Sequence, residues 1–349
     1  MDSAALNGVV YRIVFPEKWD NKLVMYAHGY NFVGQPPLSK EANWYSRMAP
    51  FLERGYAVAA SDYRQQGFAL AEGVDDTELL RQFFYKKYGK PDTTFMVGHS
   101  MGGGITLAML ENYDAAYQGG LALCPLSSRP YLQCRKEYEI YATFNGLFPN
   151  IITPLANIFD VNKPYQAQDV RQMVEKATTI RKAIIAKDSV LGVAFAKRFD
   201  IKFDDLPFSL FFNENVLRDL AQKCQGNPFD NTNTVYSGFP NDLEVNEKAE
   251  RLAATSDPEK VFAKYDRTGN IGKPVVLVHT IYDQLIPPQY GVTNFENMVH
   301  KMNKDKFLTV KYTNGQGRCA FTPQQIEKDF DALRLWTNKG KKPKAGFME

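Results

Sequence analysis

Thr93-Thr94-Phe95-Met96-Val97-Gly98-His99-Ser100-Met101-Gly102-Gly103-Gly104 is the stretch that decides the architecture of this chain. Residues 93–97 form a β-prone run and residues 101–112 read as a helix, so the polypeptide must turn sharply between them. Gly98-His99-Ser100-Met101-Gly102 fits G-x-S-x-G in the strand–turn–helix context where that pattern carries chemistry. The glycines let strand and helix approach closely, and the turn holds the serine hydroxyl at the carboxyl edge of a sheet. Ser100 is therefore the candidate nucleophile.

Working outward, residues 9–15 and 23–27 are short strands, and residues 44–54 form a helix that stops at Gly55. Residues 56–60 make a buried strand leading into Asp62-Tyr63-Arg64. Asp75 and Asp76 are expected to open the next helix, where acidic groups suit the dipole, with Leu79, Leu80, Phe83 and Phe84 on its apolar face. A further strand follows at 120–124. Strands alternating with helices at this spacing mean a parallel α/β sheet. The rhythm breaks at Pro125 and resumes near Gly272, with strands at 274–278 and 306–312 and helices at 294–302 and 324–337. Between the breaks lies helical periodicity at Val170, Met173, Val174, Ala177, Ile180 and Ile184, then an aromatic segment at 203–212 and a turn-rich one at 226–238. The expected fold is a mostly parallel sheet flanked by helices, built from residues 1–128 and 269–349. A mainly helical cap at 129–268 interrupts it. The lysine-rich end at 339–344 reads as solvated.

The 349 residues are 44% hydrophobic and 23% charged, ordinary values that exclude disordered, collagen-like and coiled-coil chains. With 42 Lys+Arg against 39 Asp+Glu and no basic block outside 339–344, nucleic acid is not an expected partner. No run reaches the roughly 18 apolar residues of a membrane span. Residues 1–10 lack the basic start and apolar stretch of a secretory signal. The expectation is a soluble protein, cytoplasmic or secreted with its signal removed. Of four cysteines, Cys134 and Cys224 both fall in the cap, where a bridge between them and two free buried thiols are both open. No H-E-x-x-H or C-x-x-C spacing is present, so neither metal nor cofactor is expected.

The elbow at 98–102, together with His28-Gly29-Tyr30 after an early strand, resembles the α/β-hydrolase superfamily at both ends of the core. The resemblance implies an oxyanion site made by the backbone N–H groups of Tyr30 and Met101. It gives Asp62-Tyr63-Arg64-Gln65-Gln66-Gly67 a structural role and makes the insertion a lid between the sixth and seventh strands. Asp283, after the post-cap strand with Ile286-Pro287 behind it, becomes the triad acid. The base belongs in a loop after the last core strand, usually as G-H-x-x-F. Here Gly317-Arg318-Cys319-Ala320-Phe321 fills that place, with Arg318 at the position of the expected histidine. Arginine stays protonated and cannot accept the serine proton, although it can pair with Asp283. A silencing substitution, natural loss of the base, and a misaligned loop are the three explanations. Among the other histidines, His99 belongs to the elbow, His28 to the oxyanion loop and His300 to a helix over the sheet's face. His279, at a strand end near Asp283, is the remaining substitute.

The resemblance thus implies a serine hydrolase that cleaves a carboxylic ester through an acyl-Ser100 intermediate, inactive or strongly impaired here. Its partner would be a small-molecule ester. Two alternatives stand beside it: a non-catalytic small-ligand-binding protein in which Arg318 forks onto a carboxylate, and an acyltransferase. In the cap, Phe144, Phe148, Tyr165, Phe203, Phe208, Phe211 and Phe212 mostly serve its own core. Any that line a pocket over Ser100 would favour a medium-sized, partly apolar acyl or aryl ester. Residues 227–232 read as an ordered polar loop, and Asp204 and Asp205 as the start of a turn.

Overall fold

The computed structural model describes residues 1–37, 40–41, 43–163 and 170–347. In chain order the first elements are β1 (Asp2–Leu6), β2 (Val9–Val14), β3 (Lys22–Ala27), α1 (Trp44–Leu52), β4 (Tyr56–Ser61) and α2 (Leu70–Tyr88). Then come β5 (Thr93–His99), α3 (Met101–Asn112), β6 (Gly119–Leu123), α4 (Pro130–Leu147), α5 (Leu155–Ile158), α6 (Val170–Arg198), α7 (Leu206–Cys224), α8 (Asp242–Lys248) and α9 (Glu259–Phe262). The chain closes with β7 (Val275–Tyr282), α10 (Pro288–Lys301), β8 (Leu308–Gln316), α11 (Pro323–Lys339) and β9 (Gly346–Phe347). Among the described residues nine strands form one sheet in the order β1-β2-β4-β3-β5-β6-β7-β8-β9. The β1–β2 and β2–β4 pairs are antiparallel, and every later pair is parallel.

Parallel strands joined by helices bury both faces, which is why they read as continuous apolar runs rather than alternating ones. Val24, Val58, Phe95, Val97, Leu121, Leu123, Val276 and Val278 share one face with Trp44, Met48 and Phe51 of α1 and Phe330, Leu333 and Trp336 of α11. Phe51 and Phe330 meet edge to face at 4.9 Å. The opposite parity, Met25, Ala59, Met96, Ala122 and Leu277, is equally buried. There α3 packs so closely that a Cβ on Gly120 would lie 2.5 Å from Leu110.

Several expectations need correction. Helix α2 starts at Leu70, so Asp75 and Asp76 lie inside it. Asp76 is buried, and its carboxylate accepts from the Arg64 backbone N–H at 2.7 Å and from Nε at 2.9 Å. A tertiary ion pair, not the helix dipole, explains that acid. The lysine-rich stretch at 339–344 is largely exposed as expected, and strands β1 and β9, the latter a two-residue pairing with β8 beyond that stretch, lie at the sheet's two edges.

By contacts the chain divides into two compact units: residues 1–31, 36–130 and 265–349 in one, 32–35 and 131–264 in the other. The second unit is mainly helical. Its α6 breaks at Asp188, where φ −167° and ψ 99° leave the helical region. Ile180 and Ile184 are buried but Val174 is exposed, so the apolar face of α6 is shorter than its periodicity implies. Phe144, Phe148 and Phe211 are fully buried in this unit's own core, Phe208 is exposed, and Tyr165 lies outside the described residues. Residues 227–232 do form an ordered loop: the Asn231 side chain accepts from Leu252 N–H at 2.8 Å and donates to Glu250 carbonyl at 2.8 Å. Asp204 and Asp205 lie within a 3₁₀ turn, Phe203–Asp205, that leads into α7 rather than starting it. Among the described residues no helix is long and apolar enough to cross a membrane.

Candidate active site

Ser100 stands between β5 and α3 with φ 60° and ψ −123°, a backbone conformation that side-chain-bearing residues rarely adopt. The neighbouring glycines make that turn sterically feasible. A Cβ on Gly98 would lie 2.2 Å from the Gly102 carbonyl oxygen, and one on Gly102 would lie 2.1 Å from that of Ala27. Both sides of the turn are fastened: the Ser100 N–H donates to Leu123 O and the Leu126 N–H donates to Ser100 O, each at 3.0 Å.

The carboxyl ends of neighbouring strands deliver the other groups, as expected where ligands meet a parallel sheet. Residues 28–30 follow β3 and run close beside the elbow, since a Cβ on Gly29 would lie 3.0 Å from Ser100 Cβ. Asp283 follows β7, just past a register irregularity in its pairing with β8. Its Oδ1 accepts from the N–H groups of Leu285 and Ile286, both at 2.9 Å, which fixes the carboxylate plane. That orientation leaves Oδ2 for Arg318, whose Nη1 donates to it at 2.5 Å. From the other side of the guanidinium, Nη2 donates to Ser100 Oγ at 2.8 Å. Asp283 is wholly buried and the Arg318 side chain is 12% exposed, so the pair is largely shielded from water.

Position 318 lies between Asp283 and Ser100. Met101 is the first residue of α3, directly after Ser100, and Tyr30 lines the same cavity as Ser100. Each terminal nitrogen of the guanidinium thus makes one hydrogen bond, to Asp283 on one side and to Ser100 on the other.

None of the four histidines bridges Asp283 and Ser100 as Arg318 does. His99 Nδ1 lies 3.1 Å from the Tyr26 hydroxyl, and burial, aided by the charges of Arg47 and Arg318, pushes its pKa down to about 3. His28 stacks on Tyr63 at 3.9 Å and donates from Nδ1 to the Gly29 carbonyl at 2.7 Å. His300 is exposed beside Asp305. His279 donates from Nδ1 to Thr280 O at 2.9 Å, which leaves its Nε2 as an acceptor. That nitrogen lies 3.9 Å from Asp283 Oδ2 with no hydrogen-bond partner. Burial lowers the His279 pKa, with Asp283 acting in the opposite direction and Arg318 reinforcing it. It is a neutral neighbour of the acid rather than the residue set against Ser100.

Two features escaped the sequence reading. Cys124 and Cys319 form a disulfide across 195 residues with Cα atoms 5.3 Å apart, whereas Cys134 and Cys224 are free and buried. A bridge between Cys134 and Cys224 is therefore absent, and the two free buried thiols are what the cap holds. A cavity of about 430 Å³ also opens beside Ser100, lined by Tyr26, Tyr30, Met48, His99, Phe321 and Ile326 among others, with Glu41 and Arg47 also on its wall. Phe321 was quoted only as part of a motif, and the walls contributed by α1 and α11 carry no pattern that marks them in one sequence.

A family model described as alpha/beta hydrolase fold matches residues 23–137. No curated protein matches the sequence. Among solved structures, Est1E from Butyrivibrio proteoclasticus with bound ferulic acid is similar at 15% identity and a TM-score of 0.50, covering 97% of this chain and 99% of that one. Proline iminopeptidase from Mycobacterium smegmatis is similar at 12% identity and a TM-score of 0.49, covering 97% and 99%. An esterase of Pyrococcus furiosus is similar at 13% identity and a TM-score of 0.48, covering 94% and 85%.

Proposed function

From the α/β-hydrolase fold of this chain we propose that its site is that of a serine esterase held nearly silent by Arg318. In the competent form of this geometry, Ser100 Oγ attacks the carbonyl carbon of a carboxylic ester while a base at position 318 takes its proton. The N–H groups of Tyr30 and Met101 stabilise the tetrahedral oxyanion. The base then returns the proton to the departing alcohol, and water cleaves the acyl-Ser100 ester by the same route. Asp283 orients the base and stabilises its charged form.

One observation carries the reading: the Arg318 guanidinium bridges Asp283 and Ser100 as the imidazole of a triad would, yet it can only donate. Ser100 Oγ accepts a hydrogen bond from a group with no lone pair to receive its proton. Loss of the base in a triad of this kind lowers kcat on the order of a million-fold, while binding and the oxyanion site retain roughly a thousand-fold over water.

The cavity supports the substrate class. Its volume of about 430 Å³ suits a small-molecule group, and Met48, Phe321 and Ile326 make it receptive to an aryl or medium-length apolar arm of the ester. The disulfide supports an oxidising compartment for the protein, since such bonds are rare where thiols are kept reduced. An alkyl fluorophosphonate tests the nucleophile directly. The expected result is slow labelling of this chain, labelling of the Arg318→His variant faster by at least about a thousand-fold, and mass mapping to Ser100 in both. Rapid labelling of the unaltered chain would mean another base serves Ser100, and absence of labelling in the variant would remove the serine from the mechanism.

A further inference from the structure

Residue 318 is held by two different kinds of anchor. On the side of the acid they are hydrogen bonds: the Gly317 N–H donates to Tyr282 O and the Arg318 N–H donates to Gln284 Oε1, both at 3.0 Å. On the side of the serine the link is covalent. Cys319, the next residue, is bonded to Cys124, which directly follows the last residue of β6. Cys124 lies in the short run 123–126 whose Leu123 O and Leu126 N–H are hydrogen-bonded to Ser100. The disulfide therefore ties the loop to the same strip of backbone that fastens the elbow.

Both cysteines have backbone φ in the left-handed region, 42° at Cys124 and 52° at Cys319, where residues with a side chain stay only if their surroundings hold them. Apart from the bond, the loop is held on the elbow side by the packing of Cys319, Phe321 and Ile326 against the sheet core, by the Phe321 ring against His99 at 6.5 Å, and by the Arg318 side chain itself. The bond is also approachable. Cys124 is fully buried, but Cys319 is partly exposed and lines the cavity beside Ser100.

We propose that the Cys124–Cys319 disulfide is a redox-sensitive positioning link that sets residue 318 against Ser100 and releases it on reduction. A dithiol reductant entering through the cavity would attack Cys319 Sγ as a thiolate, displacing Cys124 as the leaving thiolate. Its second thiol would then resolve the mixed disulfide. Two electrons and two protons pass to the protein, leaving two thiols, and the reductant becomes a cyclic disulfide. The loop keeps its hydrogen bonds to 282 and 284 and loses its covalent register to the elbow. Residue 318 then stays near Asp283 while its distance to Ser100 becomes variable. A displacement of about 1 Å in such a constellation costs on the order of a hundred-fold in rate.

Two readouts test this, and only the catalytic one rests on the esterase reading. The first is amide hydrogen exchange in the full chain before and after dithiothreitol, with Cys124→Ala/Cys319→Ala as a second route to the open form. The expected result is exchange faster by about tenfold or more at 317–321 with little change in β5 and α3. The second is ester turnover in the Arg318→His background, measured well below the melting temperature. Removing both cysteines should lower kcat at least about tenfold with KM nearly unchanged. Dithiothreitol should reproduce that loss in Arg318→His and do nothing further to the cysteine-free variant. Unchanged exchange at 317–321 after confirmed reduction overturns the proposal, as does an unchanged kcat. An inactive Arg318→His chain would refute the esterase reading, and the exchange experiment would still decide the link.

Discussion

The elbow at 98–102 and the loop at 317–321 meet across the hydrogen bond from Arg318 to Ser100, but different things hold them in place. The elbow is determined by backbone sterics. Gly98 and Gly102 leave no room for a Cβ, and Ser100 is fastened on both sides by main-chain hydrogen bonds. The loop is held mostly through side chains, namely a disulfide, the Gln284 amide and the guanidinium fork, with one main-chain hydrogen bond from Gly317 to Tyr282. A change at the elbow must therefore disturb the fold. A change at 318 removes the guanidinium fork but leaves the disulfide, the Gln284 contact and the Gly317–Tyr282 hydrogen bond in place. On the proposed reading, geometry and reactivity are separable at this site, and the contrast between its two halves shows where.

The largest effect that sharpens the contrast comes from the acid. Arg318→His/Asp283→Asn should turn over a short ester about ten-thousand-fold more slowly than Arg318→His, because an amide at 283 cannot fix the base's tautomer or balance its charge. Steady-state kcat with burst titration checks this. Comparable rates in both variants would mean the base works without the acid, and the loop half of the site would need another account.

On the elbow side, Gly102→Ala should cost about 3 kcal/mol, since its Cβ would meet the Ala27 carbonyl, a backbone group that cannot rotate away. Arg318→His should change stability far less. Urea unfolding of both variants compares them directly, and equal losses would break the distinction between backbone-set and side-chain-set halves.

A smaller effect separates structural histidines from a base. His99 is held neutral, its folded pKa near 3 against an ordinary value of 6.5. Below pH 6.5 the unfolded chain takes up a proton that the folded chain refuses, so stability is lost as pH falls from 6.5 toward 3. The slope from this residue is on the order of 1 kcal/mol per pH unit. Replacing His99 with Gln should flatten that part of the pH–stability curve, read from denaturant midpoints at pH 7, 6, 5 and 4. An unchanged slope would place the proton uptake elsewhere, with His28 and His279, also lowered by burial, as the next residues to replace.

The smallest effect is expected at Arg47, whose pairing with Glu41 at 2.6 Å is substantially exposed. Arg47→Ala should shift stability by no more than about 0.5 kcal/mol. A larger loss would mean that this part of the cavity wall belongs with the fastened elbow.

What the sequence disclosed follows the same division. Gly98-His99-Ser100-Met101-Gly102 was legible because steric necessity leaves a pattern of residue types at fixed spacing. Asp283 was legible from its place after a recognisable strand, and Arg318 from the residues around it. The Cys124–Cys319 pairing was not, because a bond across 195 residues depends on where β6 and the post-β8 loop end in space. Asp76 misled for the same reason: near a helix start it looks like a dipole partner, and only the fold shows Arg64 beside it. The edge strand β1 escaped notice because Asp2, Ser3, Ala4 and Ala5 lack β-branched or aromatic side chains.

The account stands or falls on position 318. Its most direct measurement is turnover of a short p-nitrophenyl ester by the unaltered chain and by Arg318→His, with Ser100→Ala in each as the control. The predicted result is a rise in kcat of at least about a thousand-fold on introducing histidine, abolished by removing Ser100. Equal turnover in the two chains would contradict it, because the proton would then be leaving Ser100 by a route that does not pass through 318.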